Sequence, residues 1–73
     1  MRNLTSVITW VQACDLFEVV VLPGVIATYE QDGEPDWPAR REEWNNWTDS
    51  LCKSGEISDW QYANWPQSPL CGD

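Results

Sequence analysis

The stretch from 38 to 65, PARREEWNNWTDSLCKSGEISDWQYANW, restricts the possible folds of this chain more than any other. Asp36 stands where an N-cap accepts a backbone N–H, and Pro38 lies in the first turn, where its missing N–H costs no intrahelical bond. A helix is predicted from there to about Lys53. Within it Trp37, Trp44, Trp47 and Leu51 follow at steps of seven, three and four, one face of a 3.6-residue repeat. Glu42 and Asp49 fall on another stripe with Asn45 and Asn46, and Asp49 precedes Lys53 in the favourable i,i+4 order. Gly55 suits the left-handed residue that closes a helix. Ser58 to Gln61 then has the S-x-x-Q form of a capping box, with Ile57 and Tyr62 placed as a hydrophobic staple, and Pro66 ends the segment soon after Trp65. The expectation is a helix-turn-helix hairpin over 38–65.

Upstream, Val7, Trp10, Val11 and Cys14 have i, i+3, i+4, i+7 spacing, which predicts a first amphipathic helix over about 4–15 capped by Asn3 or Thr5. Residues 16–29 read two ways. LFEVVV and VIATY flank Leu22-Pro23-Gly24 and are β-branched enough for a short β-hairpin, but the type II turn of a trans Pro-Gly pair suits a tight hairpin poorly. Alternatively the first helix runs on to about Val20, since Phe17 and Val21 prolong the Cys14 stripe, breaks at Pro23-Gly24, and is followed by a short helix ending before Gly33. The fold class is mainly α, a small helical bundle.

Seventy-three residues make one domain, 1–73, with 1–3 and 67–73 as loose termini. A core of that size is marginal. Its six tryptophans, each able to remove on the order of 150–250 Å² from water, supply volume that the short chain lacks.

Twelve acids against four bases give a net charge of −8, with no histidine. Nucleic-acid affinity rests on Lys and Arg neutralising phosphates, so direct DNA or RNA binding is disfavoured, as is attraction to an anionic membrane. A basic protein surface is the electrostatic complement. Arg2 precedes an apolar run, but Gln12, Asp15 and Glu18 interrupt it and no small-residue cleavage pattern follows. The expectation is neither leader nor membrane span, and a cytoplasmic location in a host cell. Cys14, Cys52 and Cys71 form no zinc-like spacing and make an odd count; free thiols are expected, with a Cys52–Cys71 link as the geometrically open alternative.

YEQDGEPD, residues 29–36, sets Glu30, Asp32, Glu34 and Asp36 on alternate positions. Aligning Gly33 with the turn glycine of an EF-hand loop puts the twelfth position on Ala39, so the terminal bidentate acid is missing and that calcium site fails. A solvated acidic loop beside the main helix is expected instead. Arg40 and Arg41 oppose the helix dipole in the first turn and call for Glu30 or Glu43, or for stacking on Trp37 or Trp44. Without histidine or an activated nucleophile, chemistry would fall to carboxylates alone, in a chain too short to wall a sugar cleft. No enzymatic activity, catalytic residue, metal or cofactor is expected.

A very short, acidic, histidine-free chain that starts directly at its domain resembles the small phage-encoded inhibitors of host defence, the anti-CRISPR and anti-restriction proteins. The likeness is one of size and charge along the whole chain, and the segment ARREEWNNWTDSLCKSGEISDWQY also resembles the sequences of small phage proteins. Members of that class often present carboxylates where nucleic-acid phosphates would sit. The resemblance implies an inhibitory protein docking on a basic, nucleic-acid-binding surface of a host protein; it carries over no functional residue. From the residues themselves, the partner-binding candidates are Glu30, Asp32, Glu34, Asp36, Trp37, Glu42, Glu43 and Asp49. The alternative is a structural or assembly protein that forms a homodimer, or a larger assembly, through its tryptophan face.

Overall fold

A computed structural model describes residues 8–72. The protein is mainly helical, and the described residues contain no strand. One continuous helical run holds α1 (Trp10–Leu16), a π-helical turn (Phe17–Val21) and α2 (Leu22–Tyr29). After the acidic loop come α3 (Trp37–Lys53), α4 (Asp59–Asn64) and a final 3-10 turn, Pro69–Cys71.

The first helix begins later than its apolar spacing predicts. Thr9 is the N-cap: its side chain accepts from the Gln12 N–H at 3.1 Å, while Gln12 Oε1 accepts from the Thr9 N–H at 2.8 Å. That is the same reciprocal box that opens α4 at Ser58 and Gln61. Asn3 and Thr5, expected as caps, lie outside the described residues. Val11, assigned above to the inner stripe, is 62% exposed; the inner stripe is Ala13, Phe17, Leu22 and Val25.

That stripe is possible only because of the π turn. At about 100° per residue, the nine steps from Ala13 to Leu22 in a regular α-helix would place Leu22 about 180° from Ala13. The Leu22 N–H instead donates to the Phe17 carbonyl, five residues back, which absorbs one residue and returns Leu22 to about 80° from Ala13. The cause lies in the sequence. Pro23 has no N–H to donate, and its ring crowds the carbonyl four residues earlier, so the helix opens just before it. The expected break at Pro23-Gly24 is thus replaced by a local expansion.

The core joins that stripe to Trp44 and Cys71. Phe17, fully buried, meets Trp44 edge-on with ring centroids 5.3 Å apart and lies 5.8 Å from Trp47. Of the tryptophan face on α3, Trp44 is buried, Trp47 half-buried and Trp37 41% exposed. The tryptophans outside α3 contribute less than their volume allows: Trp10 and Trp65 are half-buried and Trp60 is 67% exposed. Helix α3 closes in a Schellman arrangement around Gly55 at φ 81°, with Glu56 N–H on Leu51 O at 2.8 Å and Gly55 N–H on Cys52 O at 3.1 Å.

Residues 67–72, expected as part of a loose end, are held against the core. Ser68 and Cys71 are fully buried, Ser68 caps the 3-10 turn through the Leu70 N–H, and the Cys71 thiol donates to the Arg40 carbonyl at 3.4 Å. Pro69, which has no side-chain freedom to lose, lowers the cost of ordering this segment. All three cysteines are free, so the Cys52–Cys71 alternative is not realised. Burial raises the pKa of the Cys71 and Cys14 thiols, and Asp59, accepting from the thiol of Cys52, raises that of Cys52.

By length and composition the run Trp10–Tyr29, with mean hydropathy 1.6, is apolar enough to cross a membrane despite its two acids. In this structure one side of it is packed on α3.

Candidate functional site

The acidic loop and the first two turns of α3 are built around one ion pair. Arg40 Nε donates to Glu30 Oε2 at 2.6 Å and Nη2 to Oε1 at 2.7 Å, a two-pronged pair in which both side chains are nearly covered. The Asp36 N–H adds a bond to Glu30 Oε2 at 2.9 Å. These donors, Arg40 first, hold the Glu30 carboxylate below its ordinary pKa and raise that of Arg40. The guanidinium also stacks on Trp37, 5.0 Å from the ring centroid, and donates to the Leu70 carbonyl at 2.9 Å. A single arginine therefore ties the end of α2, the start of α3 and the C-terminal turn together.

This determines which of the eight candidate residues face outward. Glu30 is buried and fully engaged. Asp36 is half-buried and caps α3 by accepting from the Ala39 N–H at 3.0 Å. Asp32 and Glu34 are exposed, and Asp32 folds the loop by accepting from the Glu34 N–H at 3.0 Å. Glu42 is exposed and Glu43 half-buried; with Tyr29, Asp36, Pro38 and Ala39 they line a shallow groove of about 240 Å³. A second hollow of about 280 Å³, lined by Val21, Gly24, Val25, Thr28, Tyr29 and Glu43, adjoins it. Tyr29 and Glu43 border both.

Trp37 and Asp49 stand apart from this group. Trp37 lines a different groove with Arg41, Pro69 and Gly72, and a Cβ at Gly72 would come within 3.1 Å of its ring. Asp49 lies two helical turns beyond Glu42 and is paired with Lys53 at 2.9 Å. The eight residues are thus not one surface. Asp32, Glu34 and Glu42 are its exposed acids, and Glu42 and the half-buried Glu43 share a groove with Tyr29, which charge spacing alone did not single out. The i,i+14 relation of Tyr29 to Glu43 crosses the loop, and no local pattern reveals it.

Every base in the described residues is committed: Arg40 to Glu30, Arg41 to the Cys71 carbonyl at 3.4 Å, Lys53 to Asp49. The exposed carboxylates of 32–43 make no ion pair among the described residues. No group of three or more Cys, Asp or Glu side chains is placed to hold a metal ion among the described residues. No protein-family model, curated protein or solved structure matches this chain.

Proposed function

We propose that this protein is a small acidic binding protein, phage-encoded and acting in the host cytoplasm, that inhibits a host protein by docking on its basic nucleic-acid-binding surface. It has no catalytic activity in this reading and does not bind nucleic acid itself. What supports it is the segregation of charge: Arg40 and Arg41 turn toward the core and the C-terminal turn, while Asp32, Glu34 and Glu42 are exposed and Glu42 borders a groove with Tyr29 and the half-buried Glu43. Carboxylates held at the end of a helix and on a loop folded by its own side chains are preorganised, so little ordering opposes binding. The helix-turn-helix hairpin over 38–65 serves as the scaffold for this surface, with Trp44 and Trp47 turned toward Phe17, rather than as a reader of a nucleic-acid groove.

The test is capture of host proteins at low salt on the immobilised chain, followed by competition with DNA and RNA for each retained protein. Asp32→Lys with Glu34→Lys and Glu42→Lys removes the charge without touching the Asp36 cap or the Glu30–Arg40 pair. Retention of basic, nucleic-acid-binding proteins, lost in this variant and competed by nucleic acid, is expected. Retention unchanged by the three substitutions would sink the proposal. Self-association through the tryptophan face is the less favoured reading, since Trp44 and Trp47 are spent on Phe17.

A further inference from the structure

The seam between α2 and the start of α3 opens to solvent along two adjoining hollows of unlike character. One, of about 280 Å³, has Val21, Gly24 and Val25 on its α2 side; the other, of about 240 Å³, carries Glu42 and Asp36 on its α3 side. Tyr29 and Glu43 border both and so stand where the apolar half meets the acidic half. Gly24 keeps the first hollow open, since nothing lies within 4 Å of the position its Cβ would take. Tyr29 is 52% exposed, and the half-buried Glu43 has no hydrogen-bond or ion-pair partner among the described residues. We infer that this groove seats an arginine side chain of the basic partner protein, its methylene stem over Val21, Gly24 and Val25, its guanidinium on Tyr29 and paired with Glu43. The inference rests on the acidic-surface reading above and names the residue type which that surface recognises.

The order of the groove selects the occupant. Arginine buries an aliphatic stem along apolar surface while its charged head reaches a polar rim, which is the sequence of environments from Gly24 to Glu43. An apolar side chain would fill the first hollow but cover the Glu43 carboxylate without pairing it, and a covered, unpaired charge is costly. A lysine brings the charge as a point, with no plane to lay on Tyr29 and no fork to match a carboxylate. The chain already uses this chemistry once: Glu30 holds Arg40 by two prongs while the guanidinium lies over Trp37. In the groove the carboxylate and the aromatic ring recur without the arginine. The net charge of −8 adds a long-range attraction for a cationic surface, which orients the encounter but does not tell arginine from lysine. That discrimination belongs to the groove.

The test compares a capped tetra-arginine peptide with its lysine counterpart, titrated into the full chain at low salt and followed by the amide shifts of Gly24, Tyr29 and Glu43. The arginine peptide is expected to bind about tenfold tighter. Gly24→Leu fills the apolar hollow and leaves every charge in place, so it should abolish the preference while the lysine peptide binds as before; Gly24→Ala, whose added methyl meets open space, should keep it. Tyr29→Ala should also abolish the preference, and Glu43→Gln should weaken the arginine peptide more than the lysine one, with circular dichroism confirming that each variant folds. Equal affinity for the two peptides, binding of neither, or a preference that survives both Gly24→Leu and Tyr29→Ala overturns the inference. Equal affinities that are both lost in the Asp32→Lys, Glu34→Lys, Glu42→Lys variant overturn the groove and leave the acidic-surface reading standing. An arginine preference in a chain that captures no basic host protein does the reverse.

Discussion

If the π turn is a one-residue expansion that keeps the inner stripe in phase, removing one of its exposed residues should leave the fold standing. Val20 is the residue to delete, being 64% exposed with no core contact to lose. Leu22 and Val25 are 6% and 3% exposed, and burying two such side chains is worth about 3–6 kcal/mol together. A chain of this length has roughly 4–11 kcal/mol of total stability, so throwing both out of register would leave little of it. Deleting Val20 converts five residues per bonded ring to four, and Ala13, Phe17, Leu22 and Val25 keep their common face. The deletion would, however, restore the clash of Pro23 with an α-helical carbonyl, worth ~3 kcal/mol. It is therefore made in a Pro23→Ala background and compared with Pro23→Ala alone. Urea unfolding followed by tryptophan fluorescence, with circular dichroism as a second probe, gives the difference. The two variants should agree within about 1 kcal/mol. A loss of ~3 kcal/mol or more would show that the deletion rotates Leu22 and Val25 away from Trp44, and that the phase argument is wrong.

Phe17→Ala should be the most damaging single truncation on the first helix, costing about 3–5 kcal/mol in urea unfolding, because it vacates a fully buried site shared by Trp44 and Trp47; Phe17→Leu should cost markedly less. Ser58→Ala removes the cap that accepts from the Gln61 N–H and should cost about 1 kcal/mol. The Glu30 pKa is lowered on folding from an ordinary value of 4.5, so its contribution is complete above that pH and is lost as pH falls below it through the lowered value. The urea midpoint of the native chain should accordingly drop on acidification through that window. Glu30→Gln should be less stable at neutral pH and show a shallower fall, and parallel acid profiles for the two proteins would contradict the role given to the Arg40 pair.

How much of this fold could be read from the chain differs from one helix to the next. On α3 the Asp36 cap, the Trp44–Trp47–Leu51 face and the closing Gly55 are local, each set by neighbours within one or two turns, and the structure has all of them. The first helix was misphased for a physical reason. Periodicity assumes a constant 3.6 residues per turn, so Val11 scores as inward when the register is carried by a π turn that only Pro23 betrays. The T-x-x-Q box at Thr9 was legible on the same grounds as the one at Ser58, but the apolar residues before it drew the helix start too early. The C-terminal turn was hidden for another reason: Ser68 and Cys71 are buried by contact with α3 and the first helix, thirty or more residues away in sequence, and composition there says only that the segment is not a helix.

The candidate site shows a limit of a different kind. Charge spacing treats each carboxylate alike, yet Glu30, Asp32, Glu34 and Asp36 are put to four different uses: an ion pair, a loop turn, an outward charge and a helix cap. What separates them is Arg40. Placed in the first turn of α3, where a cation opposes the dipole, it is tolerable only with a carboxylate in reach, and Glu30 at the end of α2 is the one the loop delivers. Once that pair forms, the loop closes, Arg40 is withdrawn from the surface, and the acids that remain outside make no ion pair among the described residues. The unfavourable position of one base is thus what keeps Arg40 from the exposed acids of the loop, and a variant that frees Arg40, such as Glu30→Gln, would place a cation where the proposed surface requires none.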